Sequence, residues 1–399
     1  MSASVIVAGA RTPIGKLGGA LSPLTAVELG SRAIAAAVQR AGVAANNVDS
    51  VIMGTVVQAG VGPNPARQSA VAAGLPMTVP ATTVNNLCLS GLQAIISADH
   101  LIRSGDADVV VAGGMESMSN APYLARGARQ GYRYGPHSLE DALDRDALTC
   151  AFDQTSMGAA TERYQAAESF TRVELDAFAA QSHRRAAAAT ANSTFAAEIV
   201  PVEISSRRGN TTITADEGIR PDTTLESLAR LSPAFASDGT TTAGSSSQLS
   251  DGACALVIMR KEVAQARKIE WLAEIRSHAL VAGPDTSLLH QPSNAIAEAI
   301  RRSKTIALTD IDLIEVNEAF ASVAIASMRD LGITDEVVNV NGGAIALGHP
   351  VGMSGARVTL TLMHALRRRG GGLGAAALCG GGGQGIAIIL ESPRSAAPN

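Results

Sequence analysis

The chain has 399 residues, a net charge of -4, 46 % apolar and 17 % charged residues. That length exceeds a single compact core of ordinary size, and the balance is that of a globular protein rather than a disordered or fibrous one. The one basic run, Arg367 to Arg369, reads as the solvated end of a helix before glycine, so nucleic acid is not an expected partner.

The opening MSASVIVAGAR carries only a short apolar run with no basic residue before it, and later apolar stretches fall short of a membrane span. A cytoplasmic protein without a membrane partner is expected. Cys88, Cys150, Cys254 and Cys379 are scattered without a CxxC pair, which predicts free thiols, and no close His/Cys/Asp cluster suggests a metal.

In chain order, GARTPIGK (9–16) looks like a phosphate-binding loop, but its glycines stand one residue too far apart and Leu17 replaces the required Ser or Thr. Residues 24–42 have the periodicity of an amphipathic helix. VDSVIMG (48–54) reads as a strand, and VNNLCLSGLQAI (84–95) as a strand turning into a helix, with Gly105 as its stop and DVVVAGG (108–114) as the next strand. Residues 120–246 change in character, with a Tyr/Arg/Gly-rich stretch, an Ala-rich helix around 174–190 and a Ser/Thr-rich segment at 240–253. We read them as an insertion that covers something.

After the insertion the first pattern returns. A helix at 293–303 is followed by IDLIEVN (311–317), VNVNGGAIALGHPVGMSGARV (338–358) and AAALCGG (375–381). The strand, the Ser-Gly pair and the Gly-Gly pair recur at offsets of 263, 264 and 267 residues, a nearly constant period of the kind a duplication leaves. The fold class is therefore α/β, with two duplicated layered α/β core units in pseudo-twofold arrangement and an inserted loop domain.

Chemistry gathers where the halves correspond. Cys88 sits at a strand-to-helix turn, where unpaired N–H groups and the helix dipole favour thiolate and lower the ordinary value of about 8.5; the plainer reading is an inert core thiol. His349 lies in a glycine-rich loop just before the second helix, placed either to activate a thiol or merely to hydrogen-bond its loop. Cys379 ends an apolar strand and precedes four glycines whose N–H groups suit an oxyanion; a flexible linker is the alternative. Asn317 closes the strand of the second half, where its amide could hold water or donate to an oxyanion.

The motifs NNLCLSG, VNEAFAS, GGAIALGHPVGMSG and LCGGGGQG, in that order and with ARTPIGK and GGMESMS before them, resemble the thiolase family over nearly the whole chain. The likeness is greatest to its short-chain biosynthetic branch, the acetyl-CoA C-acetyltransferases. The resemblance implies an N-terminal core of residues 1–119 and 247–269, a loop domain of 120–246 that binds coenzyme A, and a C-terminal core of 270–399. It also implies a homotetramer built as a dimer of dimers.

It further implies that Cys88 accepts an acetyl group from acetyl-CoA, with His349 as its activator. Cys379 would deprotonate a second acetyl-CoA, giving acetoacetyl-CoA and CoA, or the reverse thiolysis. Asn317 with His349, and the N–H groups of Cys88 and Gly381, would support the two oxyanions. Arg220, Ser227, Phe235, Ala243 and Ser247 would hold coenzyme A, while Leu148, Met157, Ala319 and Phe320 would line the acyl pocket. Ser156 stands where many biosynthetic members carry a histidine facing the pantetheine. No cofactor is implied, CoA thioesters being the substrates. A degradative 3-ketoacyl-CoA thiolase acting on longer chains remains an alternative. So do a cysteine-nucleophile acyl-CoA hydrolase and an inactive acyl-CoA-binding protein, although two reactive-looking cysteines favour condensation.

Overall fold

The structure is a computed structural model that describes residues 3–206 and 209–394. Its first half contributes strands β1 (Ser4–Arg11), β2 (Ser50–Gly54), β3 (Ala81–Val84), β4 (Val109–Ser117) and β5 (Ser250–Arg260), ordered β3-β2-β4-β5-β1. The second half contributes β6 (Ala273–Ala282), β7 (Ile311–Val316), β8 (Gly372–Gly380) and β9 (Gln384–Ser392), ordered β7-β8-β9-β6. Directions repeat as well as order. β2 and β4 run parallel, as do β7 and β8, and the next two pairings in each half are antiparallel. Even the β3 position has a remnant, a parallel bridge between Ile314 and Val338.

The halves are not separate sheets. They join through a short antiparallel pairing of β1 with β6, Val5 opposite Glu274 and Ile6 opposite Ala273. β1 is buried throughout, whereas β6 alternates buried residues with the more exposed Glu274, Arg276 and His278, and neither pattern names the other as its partner.

Strand alternation explains the layers. Val109 and Val111 face a cluster with Leu29, Ala33 and Ile34 of helix α1 (Ala26–Ala41), next to α2 (Pro65–Ala72). Val110 and Ala112 point the other way, toward Leu92 and Ile95 of α3 (Ser90–Ser104). In the second half of the sheet, Ala376, Leu378 and Ile388 turn inward to the same core, while Ala375, Ala377 and Ile389 meet α4 (Gln291–Ser303) and α5 (Ala321–Leu331). Between the two halves of the sheet lie α3 and α6 (Ser354–Arg368), so the order is helices, first half-sheet, two central helices, second half-sheet, helices. Strands covered on both faces show continuous apolar runs rather than alternation, and each fully buried Leu or Ile contributes about 1.5–3 kcal/mol over exposure.

Local signals set the ends. Thr25 caps α1 in a reciprocal box with Glu28, and Gly42 ends it at φ 63°. Gly105 closes α3 at φ 91°, where the sequence places its stop. The central helices approach backbone to backbone at their first turns: a Cβ on Gly355 would stand 2.3 Å from Leu92 N, and one on Gly91 2.9 Å from Ala356 N. This contact brings the loops before both helices to the same place. The insertion contributes helices at Met157–Gln165 and Arg172–Ala191 and the pairing of Val202–Ser206 with Gly209–Ile213.

Candidate active site

The polar residues around Cys88 build its turn. Asn85 Oδ1 accepts from the Leu87 N–H at 3.0 Å, Ser90 Oγ accepts from the Asn86 N–H at 2.8 Å, and the same hydroxyl donates to Leu87 O at 2.6 Å. Leu87 is held in the left-handed region at φ 50°, a strained state that this network supports. Cys88 follows immediately, half-buried ahead of α3.

Its ionisation departs from the sequence expectation. Burial pushes the Cys88 thiol up to about 11, and the carboxylate of Glu116 opposes the thiolate as well. The N–H groups of Cys88 itself and of Gly381 pull the other way, both directed at its sulfur. The helix start does favour thiolate, but desolvation outweighs it. At neutral pH the resting group is a thiol.

Cys379 is the penultimate residue of β8 and is buried, its thiol pushed upward first by burial and then by the neighbouring Cys88. The glycines after it are a tight turn rather than a linker: Gly380 pairs with Gln384, and Gly382 and Gly383 adopt φ 74° and 70°. A Cβ on Gly381 would stand 2.9 Å from Leu87 Cδ1 and 2.4 Å from Met157 Cε. The backbone of Gly381 thus lies against the side chains of Leu87 and Met157, beside the Cys88 turn.

His349 is buried, and its N–H donates to Gln248 O at 3.0 Å. Its Nδ1 lies 2.6 Å from Ser354 Oγ, and that hydroxyl lies 3.0 Å from Pro350 O. With Ser354 donating to Pro350 O, it accepts from Nδ1–H, and Nε2 is left as a proton acceptor. Burial, and then the charge of Arg357, push the imidazole down to about 3, so it rests neutral. Nε2 lies 3.4 Å from the Asn317 side-chain nitrogen, and Asn317 Oδ1 has no partner among the described residues. Asn317 sits directly after β7, its N–H donating to Ala377 O at 2.9 Å.

These groups converge from both repeats. Val351, two residues past His349, packs in one cluster with Leu87, Cys88 and Leu148. Met157, Ala319, Phe320 and Cys379 share the adjoining cluster. A cleft of about 810 Å³ opens beside them, lined in part by Leu87, Met157, Gly381 and Phe152.

The other expected ligand residues spread along the insertion. Phe235 meets the Phe320 ring edge to face at 5.9 Å, and the Ser247 N–H donates to Ala319 O at 3.0 Å. Ala243 is exposed on the 240–247 segment, and Ser227 is exposed in the capping box of the short helix Leu225–Ala229. Arg220 is also exposed, its N–H donating to His183 Nδ1 at 3.1 Å. Ser156 Oγ caps the helix Met157–Gln165 by accepting from the Ala159 N–H at 3.2 Å. Sequence reasoning missed Ser354 as a partner of His349. The signal was present, since Ser354 is the repeat mate of Ser90.

The thiolase N-terminal domain family matches residues 4–262 and the thiolase C-terminal domain family residues 269–392. The chain is 55 % identical to a probable acetyl-CoA acetyltransferase of Mycobacterium leprae (strain TN), over 98 % of this chain and 100 % of the relative. It is 46 % identical to the acetyl-CoA acetyltransferase of Escherichia coli (strain K12), over 98 % and 99 %. The crystal structure of the Bacillus anthracis acetyl-CoA acetyltransferase superposes with a TM-score of 0.96 at 40 % identity, covering 98 % of this chain and 99 % of the other. With both halves matched and the duplicated architecture shared, the chain belongs to the thiolase family.

Proposed function

We propose that the protein is an acetyl-CoA C-acetyltransferase, condensing two acetyl-CoA into acetoacetyl-CoA and CoA and catalysing the reverse thiolysis. The names of its relatives support the acetyl group as the unit transferred. The observation that carries the reading is the meeting of Cys88 with Cys379 and the Gly381 N–H across one turn, while His349 and Asn317 stand together.

The resting charges give a closed proton cycle. Cys88 gives its proton to His349 Nε2 as the sulfur attacks the acetyl carbon, and the tetrahedral oxyanion lies against the N–H groups of Cys88 and Gly381. Coenzyme A leaves as thiolate and takes the proton of Cys379. Cys379 is then the thiolate base that removes a proton from the methyl of the second acetyl-CoA. The enolate oxygen faces protonated His349 and, through water, Asn317, and its carbon attacks acetyl-Cys88. Cys88 departs as thiolate and recovers the proton from His349, so both cysteines end as thiols and the imidazole as neutral. Each acid/base group in such a scheme contributes about 10²–10⁴ in rate and each oxyanion donor about 10²–10³.

In this reading Arg220, Ser227, Phe235 and Ala243 of the 120–246 insertion, with Ser247 just past it, hold coenzyme A. Leu148, Met157, Ala319 and Phe320 bound the acyl group. With the Ser156 hydroxyl engaged as a helix cap, the pantetheine contact of a histidine is not reproduced. The resemblance also leads us to read the protein as a cytoplasmic homotetramer with CoA thioesters as substrates and no bound cofactor. A thiolysis assay across 3-ketoacyl-CoA chain lengths tests the acetyl assignment: activity should fall sharply beyond the four-carbon substrate. Equal rates on long chains would transfer the reading to degradative thiolysis.

A further inference from the structure

The GGMESMS segment holds a carboxylate that the proton cycle does not use. Glu116, at the end of β4, is buried, and both its oxygens are fully engaged. Oε1 accepts from the Thr55 hydroxyl at 3.1 Å and the Val57 N–H at 3.2 Å. Oε2 accepts from the Val56 N–H at 2.9 Å and the Gly352 N–H at 2.9 Å. The first three donors belong to the turn after β2 in the first repeat. The fourth belongs to the His349 loop of the second.

Both ends of this clasp reach reactive residues. Asn85 donates its side-chain N–H to Val56 O at 3.2 Å, and Asn85 also fixes the Leu87 N–H beside Cys88. Gly352 lies three residues past His349 and two before Ser354, which holds His349 Nδ1. A Cβ on Gly352 would stand 2.8 Å from the backbone atoms Met115 O and Thr55 Cα as well as from Glu116 Oε2, so glycine lets this loop come close enough to meet the carboxylate. We propose that Glu116 is a positioning residue whose single carboxylate braces the Cys88 turn and the His349 loop against each other and places a negative charge beside the nucleophile. The proposal rests on the reading of Cys88 as nucleophile and His349 as its base.

The chemistry gives this clasp a signature that simple packing lacks. Burial holds the Glu116 carboxyl up to about 7, so its charge develops near neutrality. The titratable groups nearest it are Cys88, on which its charge acts, and His349, which rests neutral with its imidazole held down to about 3; on the paired strand β5, Asp251 and Cys254 flank its partner Gly252, and burial pushes both upward. Ionisation of Glu116 therefore opposes ionisation of Cys88. Glu116→Gln removes that charge and sets an amide N–H₂ against two of the four donors, so it loosens the brace while easing thiolate formation.

The test is Glu116→Gln assayed for thiolysis of acetoacetyl-CoA and for iodoacetamide alkylation of Cys88 by peptide mapping. We expect kcat to fall about tenfold or more with KM little changed, while alkylation at pH 8.5 rises roughly threefold. Wild-type alkylation against pH should also show a shoulder near pH 7 that the variant lacks. That wild-type profile decides the matter if the variant does not fold, and a profile without the shoulder overturns the proposal. Wild-type kcat in the variant, or kcat and alkylation falling together, overturns it as well. Acetylation of wild-type Cys88 by acetyl-CoA, run in parallel, separates failure of this proposal from failure of the nucleophile assignment.

Discussion

Ser90 and Ser354 occupy equivalent first-turn positions in the two central helices, and each hydroxyl holds the loop that carries a proposed catalytic residue, Cys88 or His349. Ser90 Oγ accepts from the Asn86 N–H at 2.8 Å and donates to Leu87 O at 2.6 Å, which shapes the turn at Cys88. Ser354 Oγ lies 2.6 Å from His349 Nδ1 and 3.0 Å from Pro350 O, which fixes the imidazole. The duplication thus supplied one device twice, and each copy now serves a different side chain.

Removing the second copy should affect chemistry more than folding. Ser354→Ala deletes the partner of Nδ1 and frees the ring to rotate. Thiolysis kcat should fall about 10–100-fold, with a stability loss of about 1 kcal/mol. Ser354→Thr keeps the hydroxyl and should recover part of the rate. A Ser354→Ala enzyme as fast as wild type would mean that Gln248 and the loop backbone alone orient His349.

The close crossing of α3 and α6 predicts a stability effect. A Cβ at Gly355 meets Leu92 backbone at 2.3 Å, with no flexible side chain to yield. Gly355→Ala should cost about 1–3 kcal/mol, read as a lower midpoint in chemical denaturation, although alanine is the better helix former. An unchanged midpoint would show that the crossing has slack.

Thiol ionisation sets the alkaline behaviour. Burial holds Cys88, Cys254 and Cys379 above the ordinary range, with Cys88 pushed up to about 11. Unfolded thiols lose their protons near about 8.5 while these keep theirs, so over that window the unfolded chain binds fewer protons and stability falls as pH rises. The denaturation midpoint should therefore drop between about pH 8.5 and pH 11. Alkylation of Cys88 should still be climbing at about pH 10; a plateau below about pH 8 would mean that its thiolate is stabilised in the resting enzyme.

Much of this was legible in the residues because the repeats carry it locally. VDSVIMG and IDLIEVN form matching strands, Gly105 ends its helix as expected, and Cys88 and His349 stand just before the paired central helices. What escaped depends on distant contacts. The acidity of Cys88 was misjudged because the dipole is local, whereas the desolvation comes from residues folded over it. The β1 to β6 junction rests on two residue pairs that neither strand's own pattern names. Glu116 looks like any acid near the end of a strand until Val56 and Gly352, 60 and 236 positions away in sequence, are seen to donate to it.

The most direct measurement separates the two cysteines. Wild type and Cys379→Ala are each incubated with acetyl-CoA, then analysed by mass spectrometry of the Cys88 peptide and by assay of acetoacetyl-CoA. Both proteins should carry one acetyl group on Cys88, and only wild type should release acetoacetyl-CoA at an appreciable rate. A bare Cys88 in active wild-type protein, or condensation by Cys379→Ala at the wild-type rate, would contradict the account.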